Sequence, residues 1–141
     1  MPERPNPLRV FAGLGCRRGC SVTALSDLLD QVLQAHGLTR DSLGGIASIE
    51  LKSQEPGLHA LAAQLGIPLL FFSAAELAAF ESRLTHRSIN AFTHSGCYGV
   101  AESAALAVAE QLDATPAQLC VSRRTSINAT LALACGSTFG R

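Results

Sequence analysis

The chain has 141 residues, the usual size of one domain, which argues against two full domains. Apolar residues make up 48% and charged residues 16%, with zero formal net charge. That composition excludes a disordered chain and argues against nucleic acid as a partner, since no excess of positive charge is available for a polyanion.

No stretch of roughly 18 uncharged apolar residues occurs. The first nine residues carry Pro2, Pro5, Pro7 and two Arg before any apolar run, unlike a signal peptide. The expectation is a cytoplasmic protein with no membrane partner. Ten of the eleven cations are Arg, which offers a planar fork of donors suited to carboxylate or phosphate. The five cysteines, Cys16, Cys20, Cys97, Cys120 and Cys135, lack CxxC spacing and read as reduced thiols. Cys120 and Cys135, in apolar surroundings, are expected to be small core residues.

Residues 1–8 read as a tail and residues 9–141 as one domain. The apolar run 8–14 predicts a buried strand and residues 15–20 a loop. Leu25, Leu28, Leu29, Val32 and Leu33 then recur at helical spacing, with Ser21 or Thr23 to start the helix and Gly37 to end it. Residues 46–51 predict a second strand. A helix opens at Pro56, in a position where the first turn tolerates proline, and runs through Leu58, Leu61 and Leu65 to Gly66. A third strand is expected over 68–72, and Ser73 with Glu76 has the capping-box form that starts a third helix.

Residues 82–95, with Arg83, His86, Arg87 and His94, read as a surface connection. Gly96 and Gly99 lead into an Ala-rich helix over 100–112. Strands are expected over 119–122 and 127–134, and the intervening residues 123–126 form either a hairpin turn or a longer rim. Alternating strands and helices predict an α/β, three-layer single domain, its sheet largely parallel or mixed and flanked by helices. Ligands of such sheets sit beyond the carboxyl ends of the strands.

The segment Gly13-Leu-Gly15-Cys16-Arg17-Arg18-Gly19-Cys20 lies between a predicted strand and a helix start, where free N–H groups and the helix dipole favour an anion. It lacks the Gly-Lys-Ser/Thr ending of a phosphate-binding loop, and Arg18 stands where the last glycine of a dinucleotide fingerprint belongs. An ordinary tight turn with two solvated Arg remains the alternative. Cys16 and Cys20 stand at a loop-to-helix junction, a position that can depress a thiol pKa. No histidine pair or second close cysteine pair supports a metal, and neither metal nor cofactor is expected.

The motifs GLGCRRGC (13–20), IASIELKSQEPGL (46–58), FFSAAEL (71–77) and GVAESAAL (99–106) resemble, in order, those of the CobE and CbiG C-terminal family of cobalamin biosynthesis. The resemblance runs from about Val10 to near the C-terminus. The chain is most similar to the stand-alone CobE type, because no long segment precedes the motifs. Glu50 stands where the family commonly has Asp, and Ser103 where it commonly has Pro; the first change keeps the carboxylate and the second loses only a rigid helix start.

The resemblance implies a corrin precursor as ligand, a ring with apolar faces and a rim of acetate and propionate carboxylates. Gly15, Cys16, Arg17, Arg18, Gly19, Lys52, Gly96, Arg123 and Arg124 are the residues expected to hold it. Arg forks and backbone N–H groups suit the carboxylates. Glu55 reads first as a helix-start residue. Glu102, in the first turn of its helix, is the first choice for a general base, with capping or ligand orientation as alternatives. Two functions stay open. One is an accessory or carrier protein that holds an intermediate and meets neighbouring pathway enzymes. The other is an enzyme that hydrolyses or rearranges the precorrin periphery, as implied by the association of CbiG with ring A lactone opening.

Overall fold

The computed structural model describes residues 9–80, 100–113, 117–126 and 129–136. Strand β1 (Val10–Cys16) is followed by helix α1 (Val22–Ala35), β2 (Leu43–Ile49), α2 (Pro56–Leu65), β3 (Leu69–Phe72) and α3 (Ala74–Ala78). After these come α4 (Val100–Asp113), β4 (Ala117–Thr125) and β5 (Ala129–Gly136). Short 3-10 turns, Arg40–Ser42 and Glu50–Lys52, bracket β2.

The five strands form one sheet in the order β3-β2-β1-β5-β4. Strands β1, β2 and β3 are parallel, whereas β5 is antiparallel to both β1 and β4. The expected α/β, three-layer domain is found, with a mixed sheet. On one face, α1 and α2 bury Leu25, Leu29, Leu58 and Leu61 against Leu14, Ile46, Leu131 and Leu133. On the other, α3 and α4 bury Leu77, Leu106 and Val108 against Phe11, Ala47 and Ala132.

Local chemistry explains most boundaries. The five periodic apolar residues of α1 are all buried, and the Ser21 side chain accepts a hydrogen bond from the Ala24 N–H at its start. His36 closes that helix, its Nδ1 3.0 Å from the Val32 carbonyl. Helix α2 starts at Pro56 and ends on Gly66, whose φ of 66° is left-handed. Ser73 and Glu76 form the full capping box.

Other boundaries differ from expectation. Strand β1 extends through Gly15 and Cys16, because β5 pairs with it up to Cys16↔Ala129. Gly15 therefore lies in the strand with Gly13, and not in the loop expected from residue 15 onward. At Gly13 a Cβ would collide with backbone atoms of Ala101 and Ala105, so the missing side chain lets α4 pack directly on β1. Strand β2 starts and ends earlier than residues 46–51, and residues 50–52 form a turn. Arg123 and Arg124 belong to β4 itself; Ser126 is bonded to Ala129 at the turn. The tail 1–8 and the connection 82–95 lie outside the described residues.

Candidate functional site

The ends of the strands define one rim. Parallel pairing puts the carboxyl ends of β1, β2 and β3 on the same side of the sheet. The pairs Cys16↔Ala129 and Thr125↔Thr130 bring the β4–β5 turn to that side as well. Each described α-helix begins there. α1, α2 and α3 follow the carboxyl ends of parallel strands, and α4 packs its first turn over Gly13 while Leu112 lies over Gly45. The positive ends of their dipoles thus face one edge of the molecule.

Residues 17–20 form a β-turn closed by a 3.0 Å bond from the Cys20 N–H to the Arg17 carbonyl. Gly19, at φ 78°, takes the left-handed position that glycine adopts without strain. Arg17 and Arg18 are exposed at the tip. Glu55 occupies the cap position of α2, yet its carboxylate does not cap that helix. Instead it accepts the Gly19 N–H at 2.9 Å, tying the turn to the segment after β2. Glu55 is thus the helix-start residue expected by position, while its side chain serves the turn instead of the helix. With that amide engaged, Gly19 offers no N–H to an anion, and the exposed Arg17 and Arg18 side chains remain at the turn.

Lys52 lies on the same side of the turn, close enough to act on the thiols of Cys16 and Cys20. Burial is the main influence on both thiols. It pushes Cys16 up to about 11, aided by Cys20 and Glu55 and opposed by Lys52. Cys20 is raised for the same leading reason. The helix start, which can depress a thiol, does not do so at this junction, since desolvation outweighs it. Both cysteines are protonated packing residues at neutral pH. Beside Lys52, Leu51 leaves 64% of its surface exposed, an apolar side chain among cations that sequence patterning did not single out.

Glu102 is fully buried in the first turn of α4. Its Oε2 accepts the Arg123 N–H at 2.8 Å, coupling the helix start to β4 immediately before Arg124. The pairing of β4 with β5 shifts between Val121 and Arg124, which leaves strand donors there to be met by a side chain. Arg123 is half-buried and Arg124 exposed. Among the candidate residues, Gly15, Cys16, Arg17, Arg18, Gly19, Lys52, Glu102, Arg123 and Arg124 therefore gather at one rim. Gly15 is half-buried, and a side chain there would meet the Thr130 hydroxyl. Gly96, His86 and His94 lie outside the described residues. Glu50 is exposed in the turn after β2. His59 packs on Phe71 and its Nε2 is 2.7 Å from the Ser53 carbonyl, which explains it structurally. Among the described residues, no group of three or more His, Cys, Asp or Glu side chains is arranged to hold a metal, and no helix is long and apolar enough to cross a membrane.

Residues 10–134 match the family described as cobalamin synthesis G C-terminus. Protein CobE of Sinorhizobium sp is 37% identical over 122 residues, covering 86% of this chain and 77% of that protein. Cobalt-precorrin-5A hydrolase of Priestia megaterium is 31% identical over 103 residues, covering 73% of this chain but 26% of the hydrolase. This chain thus spans about a quarter of that enzyme. A crystal structure of CobE, a protein from the cobalamin (vitamin B12) biosynthetic pathway, superposes with a TM-score of 0.87 at 43% identity, over 94% of this chain and 93% of that one. The cobalamin biosynthesis protein chiG of Agrobacterium tumefaciens str. C58 gives 0.66 at 29% identity, over 91% and 98%. By sequence and by fold, the chain belongs to the CbiG C-terminal family of cobalamin biosynthesis proteins.

Proposed function

We propose that this protein binds a polycarboxylate corrin intermediate at the rim and acts as an accessory or carrier protein of the aerobic cobalamin route. The observation that carries this reading is the gathering of Arg17, Arg18, Lys52, Arg123 and Arg124 along one edge onto which the described helices begin. Several carboxylates spaced around a wide ring match several cations spaced along an edge, and each helix start adds favourable potential. Leu51 supplies an apolar contact for the face of the macrocycle. Glu102 serves as an orienting residue, holding β4 where Arg123 and Arg124 project. Neighbouring pathway enzymes are the partners that deliver and receive the intermediate, and the cytoplasm is where they meet.

A second reading is catalysis at the precorrin periphery, favoured by the likeness to cobalt-precorrin-5A hydrolases. There Glu102 would act as general base on water directed at a peripheral ester. Its carboxylate already accepts the Arg123 N–H, which supports orientation over proton transfer.

An absorbance titration against purified precorrins and corrinoid acids separates the two. The carrier reading expects saturable spectral change with recovery of the unchanged ligand. It also expects about tenfold weaker binding by the Arg17→Ala, Arg18→Ala double variant, the order of one to two charge-assisted contacts made at an exposed site. A new product mass after incubation supports catalysis, and binding unaffected by the double variant counts against the rim.

A further inference from the structure

A cysteine pair lies away from the rim. Along β5, side chains alternate strictly: Ala129, Leu131, Leu133 and Cys135 enter the core under α1 and α2, while Ala132 and Ala134 enter the opposite core. Strand β4 breaks that alternation. Leu119 packs into the second core, but Cys120 and Val121, consecutive residues, both pack into the first. The cause is the irregularity in which Leu119 pairs with Ala134 and Val121 with Leu133, leaving Cys120 as the extra residue. Because Val121 takes the place opposite Leu133, Cys120 is set back along the strand towards Cys135. The two thiols share one core and lie close enough to act on each other electrostatically, and the Cys135 Sγ approaches the Gln118 carbonyl at 3.9 Å. Both are free. Cys120 is half-buried on an edge strand, whereas Cys135 is fully buried.

We propose that Cys120 and Cys135 form a reversible redox pair, a disulfide site that closes across the bulge between β4 and β5 by exchange with a small-molecule disulfide. The Cys120 thiolate attacks one sulfur of the small disulfide, breaking its S–S bond and releasing one thiol. The Cys135 thiolate then attacks the Cys120 sulfur, forming the protein disulfide and expelling the second thiol. Two electrons pass from the cysteine pair to the small disulfide, and the two cysteine protons end on the two released thiols. Burial raises both cysteine thiols, so exchange is slow at neutral pH and accelerates as pH rises. The bond ties the edge strand to its neighbour upstream of Arg123 and Arg124.

The test incubates the full chain with oxidised glutathione at alkaline pH until exchange is complete, then blocks remaining thiols with N-ethylmaleimide and maps the peptides by mass spectrometry. Because cleavage after Arg123 and Arg124 separates the two cysteines, the bond appears as a cross-linked peptide pair, located by fragmentation and lost on reduction with dithiothreitol. The expected result is about one Cys120–Cys135 bond per chain. In Cys135→Ser, Cys120 is expected to retain a mixed disulfide with glutathione. Alkylation of both Cys120 and Cys135 in the treated wild-type chain, or glutathione on Cys120 with Cys135 still alkylated, overturns the proposal. Neither outcome depends on the folding of a variant.

Discussion

Glu102 illustrates how a single buried group links local and distant structure. A carboxylate removed from water is tolerated where donors meet it, and here the first turn of α4 and the Arg123 N–H do so. Glu102→Ala leaves that N–H without its carboxylate and is expected to cost about 2–3 kcal/mol in denaturant unfolding, the range for breaking a buried bond to a charged group. Glu102→Gln keeps an acceptor and is expected to cost less. Equal losses from both variants would show that charge, and not the acceptor, matters. The first-turn position of Glu102 was legible in sequence. Its partner was not, because Arg123 is 21 residues away and is met only through tertiary packing. Glu55 follows the same logic: its place before Pro56 reads as a cap, and its real bond to Gly19 spans 36 residues.

Cys16 offers a second test at the residue scale. Its folded pKa is raised from 9.0 to about 11 by burial, so the folded state holds the proton more firmly than the unfolded state. The associated stability is fully present below pH 9 and is lost as pH rises towards 11. Unfolding midpoints measured across that window should fall, and should fall less steeply in Cys16→Ala. Identical pH slopes in the two proteins would contradict the assigned burial effect.

Glycines act at the level of whole elements. Gly13 permits α4 to lie against β1, and Gly13→Ala would drive a Cβ into the backbone of Ala101 and Ala105. Backbone on both sides can yield little, so the expected cost is about 3 kcal/mol or more, at the upper end for overpacking. Gly66→Ala meets open space and pays only for its left-handed backbone, about 1 kcal/mol. Thermal melts of the two variants should therefore separate clearly, and similar midpoints would refute the close approach. Helices α1 and α2 and the capping box of α3 were readable from periodicity, proline and Ser73 because those signals are local. Gly15 and Cys16 were misread as loop, since what continues the strand there is pairing with β5 and, at Gly15, the neighbouring Thr130 side chain. The length of β4 escaped for a similar reason: Arg123 and Arg124 have poor local strand character, and pairing with β5 carries the strand through them.

At the scale of the whole molecule, the α/β layering brings the candidate residues to one edge. Alternation of strands and helices already implied that a ligand would meet the carboxyl ends of the strands. The structure brings Arg17, Lys52 and Arg124 from three separate segments to that edge, alongside the exposed Leu51. Family membership rests on a match over residues 10–134 and on the shared fold. The proposed carboxylate recognition rests on the charge of the edge and is expected to weaken with added salt, as exposed ion contacts do. It is tested most directly by comparing the affinity of the wild-type protein for a corrinoid polyacid with that for the same ring carrying amides in place of the carboxylates, both read by macrocycle absorbance. The account predicts binding at least tenfold tighter for the acid, corresponding to about 1.4 kcal/mol or more; equal affinity for the two would contradict it.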